Sequence, residues 1–175
     1  MIEALSLRRR AHACALLRGN HEATLEQFLA KPTTLPAFLQ LGGLPTLLSY
    51  GVKPPARPEE DTGQRIAAEL QAALPETHRE LLASLQTSFA IGDYFFVHAG
   101  VRPNVRLQRQ ALQDLLWIRD DFLLWEERFE KFVVHGHTPT AEPELRANRA
   151  NIDTGAFATG RLTVLAIDQD GRRIL

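Results

Sequence analysis

Three short stretches carry the residue types that could do chemistry. Arg18-Gly19-Asn20-His21-Glu22 sets an amide oxygen beside an imidazole, so one side chain can ligate a cation while the next donates a proton. Val97-His98-Ala99-Gly100 and Val134-His135-Gly136-His137-Thr138 each end a short apolar run with a histidine beside a glycine. The apolar run from Ala13 to Leu17 precedes the first stretch in the same way, and three strand ends are expected to deliver polar groups to one place. Open α/β sheets bind ligands at the carboxyl ends of their strands, so the pattern points to a site. Such donors suit metal-assisted cleavage of a phosphoester, which needs an activated water, neutralised oxygens and a proton for the leaving alkoxide.

Each residue taken singly has a plainer role. Asn20 could cap a helix beginning near His21. His98, behind Tyr94-Phe95-Phe96-Val97, could be a core histidine, and His135 and His137 could be turn residues around Gly136. Arg119 could be an exposed cation ahead of Asp120 and Asp121. These roles would have to hold independently at three glycine-bearing strand ends, and that coincidence favours the site. His135 is assigned a supporting or structural part, and Asp153 the part of fixing its own loop.

Together with Asn151-Ile152-Asp153-Thr154-Gly155-Ala156, the stretches resemble the bacterial serine/threonine protein phosphatases of the calcineurin-like metallophosphoesterase superfamily. The likeness runs from about Ile2 to the C-terminus. It implies an α/β fold, a two-sheet metallophosphoesterase sandwich flanked by helices. It also implies a single domain over residues 1–175 with a mainly helical insert at about 31–86. The resemblance assigns Asn20, His98 and His137 to one metal ion, His21 to general acid catalysis, and Arg119, with Arg18 ranked below it, to the phosphate. The implied reaction is hydrolysis of phosphomonoesters, foremost phosphoserine and phosphothreonine in proteins, by in-line attack of a metal-bound hydroxide. A hydrolase of symmetrical dinucleoside tetraphosphates and a phosphatase-like binding module without turnover stay open as alternatives.

The full family site holds two divalent ions, manganese first, with iron or zinc as alternatives. The family motifs Gly-Asp-x-His-Gly and Gly-Asp-x-x-Asp-Arg-Gly, which serve the second ion and the bridging carboxylate, belong upstream of the Asn-His-Glu turn. The chain is therefore expected to be N-terminally truncated, with Met1 an internal methionine of a longer frame or the whole a degenerate remnant. At most one ion is expected here, weakly held, because three neutral ligands set no formal charge against a dication. Unpaired edges are expected beside Ala13–Leu17 and Lys131–His135. Gly92-Asp93 is a hairpin turn and not the absent motif, since Tyr94-Phe95-Phe96 follows it.

Composition narrows the partners. A chain of 175 residues can bury one core. A formal net charge of -1 and a pI near 6.6 argue against nucleic acid, and the resemblance implies a phosphorylated protein or a small phosphoester as partner. One cysteine, Cys14, excludes an internal disulfide and fits a reducing cytoplasm. No run approaches ~18 apolar residues, so no membrane partner is expected.

The elements that must hold the site follow from periodicity. Helices are expected at the start of the chain up to Arg10, over Ala23–Ala30 ahead of Pro32, and in short pieces over Leu41–Lys53. Further helices are expected over Gln64–Ala73, Glu76–Leu85 and Gln110–Ile118. The proline-rich, charged segment from Lys53 to Asp61 reads as a surface linker. Strands are expected at Thr87–Ile91, Tyr94–His98, Lys131–His135, Arg149–Asp153, Leu162–Asp168 and Arg172–Leu175. His12 and His78 are expected in solvent, and Phe28, Leu29, Phe38 and Leu39 in the core.

Overall fold

Helical spacing in the first half of the chain and short β-rich runs in the second produce two units with separate cores. A computed structural model describes residues 2–5, 14–57 and 59–175. One unit comprises Met1–Leu16 and Asn20–Leu85, the other Leu17–Gly19 and Gln86–Leu175. The expected helix up to Arg10 is described only at residues 2–5, which are helical (α1); the rest of it, with Ala13 and His12, lies outside the described residues.

The first unit is helical. α2 (Asn20–Ala30) buries Thr24, Leu25 and Phe28 on one face and stops before Pro32, which has no N–H to continue the ladder. A 3₁₀ turn (Pro32–Thr34), α3 (Leu35–Phe38), a π-turn (Leu39–Gly43) and α4 (Leu44–Ser49) follow. Gly42 interrupts this run at φ 87°, a conformation that glycine adopts without a Cβ penalty. α5 (Thr62–Ala73) and α6 (Glu76–Ala83) complete the unit. Phe28 and Phe38 stack with ring centroids 4.9 Å apart, and Leu47, Ile66 and Leu70 are fully buried around them. Each such burial is worth roughly 1.5–3 kcal/mol. Residues 53–57 and 59–61 form neither helix nor strand. His78 is not in solvent as expected: Tyr50 Oη lies 2.8 Å from its Nδ1, and Glu3 Oε2 lies 3.0 Å from its Nε2.

The second unit is built on a five-stranded mixed sheet in the order β1-β2-β3-β5-β4. β1 (Ser88–Ile91) and β2 (Tyr94–Val97) form the hairpin expected around Gly92-Asp93, with Ile91 opposite Tyr94. β2, β3 (Phe132–His135) and β5 (Arg149–Asn151) run parallel, while β1 and β4 (Glu144–Leu145) flank them antiparallel. β3 is therefore central and paired on both sides, with Val133 fully buried, and does not form the open edge expected of Lys131–His135. Between β2 and β3 run α7 (Leu112–Trp117) and α8 (Asp120–Leu123). Their Leu115 and Phe122 pack with Ile118 against Phe95, Val97 and Val133. α9 (Ala156–Thr159) precedes a second sheet of two strands, β6 (Leu165–Asp168) and β7 (Gly171–Ile174).

Among residues 14–17, the strand expected over Ala13–Leu17 reduces to one parallel bridge between Leu17 and Gln86. Its alanines and leucines favour helix over a pleated surface, and the run contains no β-branched residue. β6 starts three residues later than expected, because Leu162 is exposed and makes no ladder. The architecture is thus mixed α/β, with a five-stranded sheet, a two-stranded sheet and helices. Among the described residues, no helix is long and apolar enough to cross a membrane.

Candidate functional site

The parallel register carries the chemistry past the strand ends on one edge of the sheet. Phe96 pairs with Val134, and two residues on the Gly136 N–H donates to the His98 carbonyl at 2.9 Å. On the other side of β3, His135 pairs with Asn151 and its carbonyl accepts the Ile152 N–H at 3.0 Å. His98 and the Gly136-His137 turn therefore emerge side by side. His98 Nε2 lies 3.1 Å from His137 Nδ1, with the rings 4.9 Å apart and inclined at 63°. The Trp117 ring meets the His137 ring edge-on at 6.0 Å.

His137 sits at φ 68°, a left-handed backbone that a residue with a Cβ adopts at a cost of about 1 kcal/mol. Strain of that kind survives where the surroundings impose it, and here it aims the ring at His98. The glycines beside the two histidines have steric causes. A Cβ on Gly100 would come within 2.3 Å of the Phe122 ring, and one on Gly136 within 3.3 Å of the Asp153 Cβ. Asp153 fixes its own loop: its Oδ1 accepts the Gly155 N–H at 2.9 Å, and its N–H donates to Asn151 Oδ1.

The two facing imidazole nitrogens stand at hydrogen-bonding distance, one donating and the other accepting according to the tautomers, and the same spacing is compatible with two ligands of one cation. Metal–nitrogen bonds of ~2.1 Å at tetrahedral to octahedral angles separate neighbouring nitrogens by about 3.0–3.4 Å, and the observed 3.1 Å falls inside that span. Among the described residues, no group of three or more His, Cys, Asp or Glu gathers as a ligand set. The histidine pair is what this sheet edge offers. Arg119 joins it: Nη1 donates to Thr138 Oγ1 at 3.0 Å, and Thr138 follows His137 directly. The Arg119 side chain is exposed, so its planar guanidinium is open to an anion.

The remaining sequence-predicted residues take these places. Asn20 and His21 belong to the helical unit and Arg18 to the α/β unit. Asn20 is buried and is itself the first residue of α2, its carbonyl accepting Thr24 Oγ1–H at 2.6 Å. His21 is exposed and rests against Gly42, where a Cβ would lie 3.4 Å from His21 Cε1. The Arg18 N–H donates to the Gln86 carbonyl at 2.8 Å beside the Leu17 bridge. His98, His137 and Arg119 are thus gathered on one edge of the α/β unit.

Sequence reasoning missed what lies under this edge. Arg149, 1% exposed in β5, places Nη1 3.1 Å from His135 Nε2 and 3.1 Å from Glu144 Oε2, and its Nη2 donates to the Leu123 carbonyl. Burial pushes the His135 imidazole down to about 4. Burial also lowers the Arg149 pKa, against the hydrogen bond and charge of Glu144. Burial would raise Glu144, but the Arg149 hydrogen bond and the Arg149 and Arg146 charges bring it below its ordinary value. The strand Arg149-Ala150-Asn151 carries no local pattern that would have joined these partners. Compared with models of protein families and with curated proteins, the chain matches none.

Proposed function

We propose that the protein is a metal-dependent phosphoester hydrolase of the metallophosphoesterase kind, built on that superfamily's two-sheet sandwich and acting on phosphoserine or phosphothreonine in cytoplasmic proteins. The observation that carries the reading is the 3.1 Å spacing of His98 Nε2 and His137 Nδ1 at the ends of two parallel strands. In this reading His98 and His137 would hold a divalent cation, manganese first. Bound there, such a cation supplies water activation and charge neutralisation at the phosphorus.

The chain's own residues supply the rest. Arg119, steadied by Thr138, clamps the non-bridging phosphate oxygens with two parallel N–H donors, which orients the ester for in-line attack. Donating the proton that the leaving alkoxide needs is a role that the resemblance alone assigns to His21. The Trp117 ring stands edge-on beside the His137 ring.

Manganese-supplemented protein tests the reading with a phosphothreonine peptide, an aryl phosphate and a symmetrical dinucleoside tetraphosphate. Phosphate release from the first two is the expected result. Cleavage of the nucleotide alone, at the middle of its bridge, would move the assignment to a nucleotide hydrolase, and no turnover of any of the three would overturn it.

A further inference from the structure

Arg149 has no role so far and His135 only an unspecified supporting one, yet Arg149 is a charge in an interior strand with 1% exposure. A well-packed apolar residue is often as stable in such a place, so the arginine calls for a purpose other than stability. Its partners supply one. A guanidinium only donates, so the contact from Arg149 Nη1 makes His135 Nε2 an acceptor. The neutral ring then carries its hydrogen on Nδ1, which faces the Gly136 carbonyl at 3.1 Å, a group that only accepts. The same carbonyl accepts the Thr138 N–H at 2.8 Å. Two donors thus pin the peptide plane that precedes His137 and sets its left-handed φ of 68°.

We propose that Arg149 and His135 are positioning residues: Arg149, anchored by Glu144, selects the Nδ1–H form of His135, and His135 through the Gly136 carbonyl holds His137 against His98. The chain of contacts runs from Glu144 Oε2 to Arg149 Nη1, to His135, and to the turn that bears His137. The lock stands on these contacts alone, while its consequence for cation affinity rests on the reading proposed above. Supporting contacts of this kind change metal affinity ~10–100-fold when removed.

Long-range ¹H–¹⁵N correlation of the imidazoles in the full chain tests the lock without metal. The expected result is an Nδ1–H tautomer at His135 at neutral pH, together with displaced His98 and His137 ring resonances in His135→Phe and Arg149→Met. An Nε2–H tautomer in the unsubstituted chain would overturn the proposal even if neither variant folds. Unchanged His98 and His137 resonances in a folded His135→Phe would overturn it as well. Cobalt(II) titration supplies the readout that general destabilisation leaves alone. Affinity is expected to fall ~10–100-fold in folded His135→Phe and to recover in part in Arg149→Lys relative to Arg149→Met. Equal cobalt affinity in all four chains would count against positioning.

Discussion

His98 Nε2 lies 3.1 Å from His137 Nδ1, and His137 keeps that distance with a left-handed backbone at φ 68°. The backbone cost and the ring contact can be separated. Replacing His137 by alanine removes the ring and keeps the strain, whereas glycine removes both. His137→Gly is expected to be the more stable of the two by about 1 kcal/mol, the reverse of the usual order of alanine and glycine. Urea unfolding of the two variants measures the difference, and equal stability would mean that the turn is not strained at this residue.

Arg119 reaches Thr138 from an exposed position, so its removal should leave stability almost unchanged while weakening the hold on phosphate. Charge-assisted bonds of this type are worth ~1.5–3 kcal/mol, which corresponds to roughly 10–150-fold. Arg119→Ala is expected to raise the inhibition constant for inorganic phosphate by that factor. Arg119→Lys should recover only part of it, because one ammonium cannot make two parallel bonds.

Acid should destabilise the α/β unit through His135. Its folded-state pKa near 4 lies below the ordinary 6.5, so the unfolded chain takes up the proton first and stability falls as the pH drops from 6.5 toward 4. The whole depression is worth about 3 kcal/mol at 1.36 kcal/mol per pH unit. Glu144, held low by Arg149 against its burial, adds a loss in the same direction below its ordinary 4.5. Denaturant melts at pH 7 and pH 4.5 should show a steeper loss in the unsubstituted chain than in His135→Phe. Parallel losses would remove His135 from the account.

Gly100 is fixed by packing. An added methyl would sit 2.3 Å from the Phe122 ring in the middle of the core, where overpacking costs ~1–3 kcal/mol. Gly100→Ala should lower the melting temperature, and Gly92→Ala, in open space at φ 52°, should do so through backbone strain alone. Pairing Gly100→Ala with Phe122→Leu should recover part of the loss, because the leucine makes room for the methyl. No recovery in the pair would place the Gly100 constraint elsewhere.

Much of this architecture is legible in the sequence. Two-residue turn chemistry at Gly92-Asp93 set the β1–β2 register, and the spacing of Ile66 and Leu70 marked the buried face of α5. His98 and His137 could be paired because each follows a short apolar strand and parallel strands end on one edge. The invisible parts are those set by tertiary contacts. β4 is too short for its period to register, and the Ala13–Leu17 run is apolar without β-branching, so its single bridge depends on Gln86 far along the chain. The Arg149 clamp could not be read because burial of an arginine depends on partners at residues 123, 135 and 144, which no local pattern joins. His78 was misplaced for the same reason, its partners Tyr50 and Glu3 being remote in sequence.

The proposed site stands or falls with one cation held between His98 and His137. Cobalt(II) titration of the full 175-residue chain, followed by ligand-field absorbance, tests it directly. A single binding event that disappears in His98→Ala and in His137→Ala, and persists in His21→Ala, is the expected result. Absence of binding, or binding that survives both His98→Ala and His137→Ala, would contradict it.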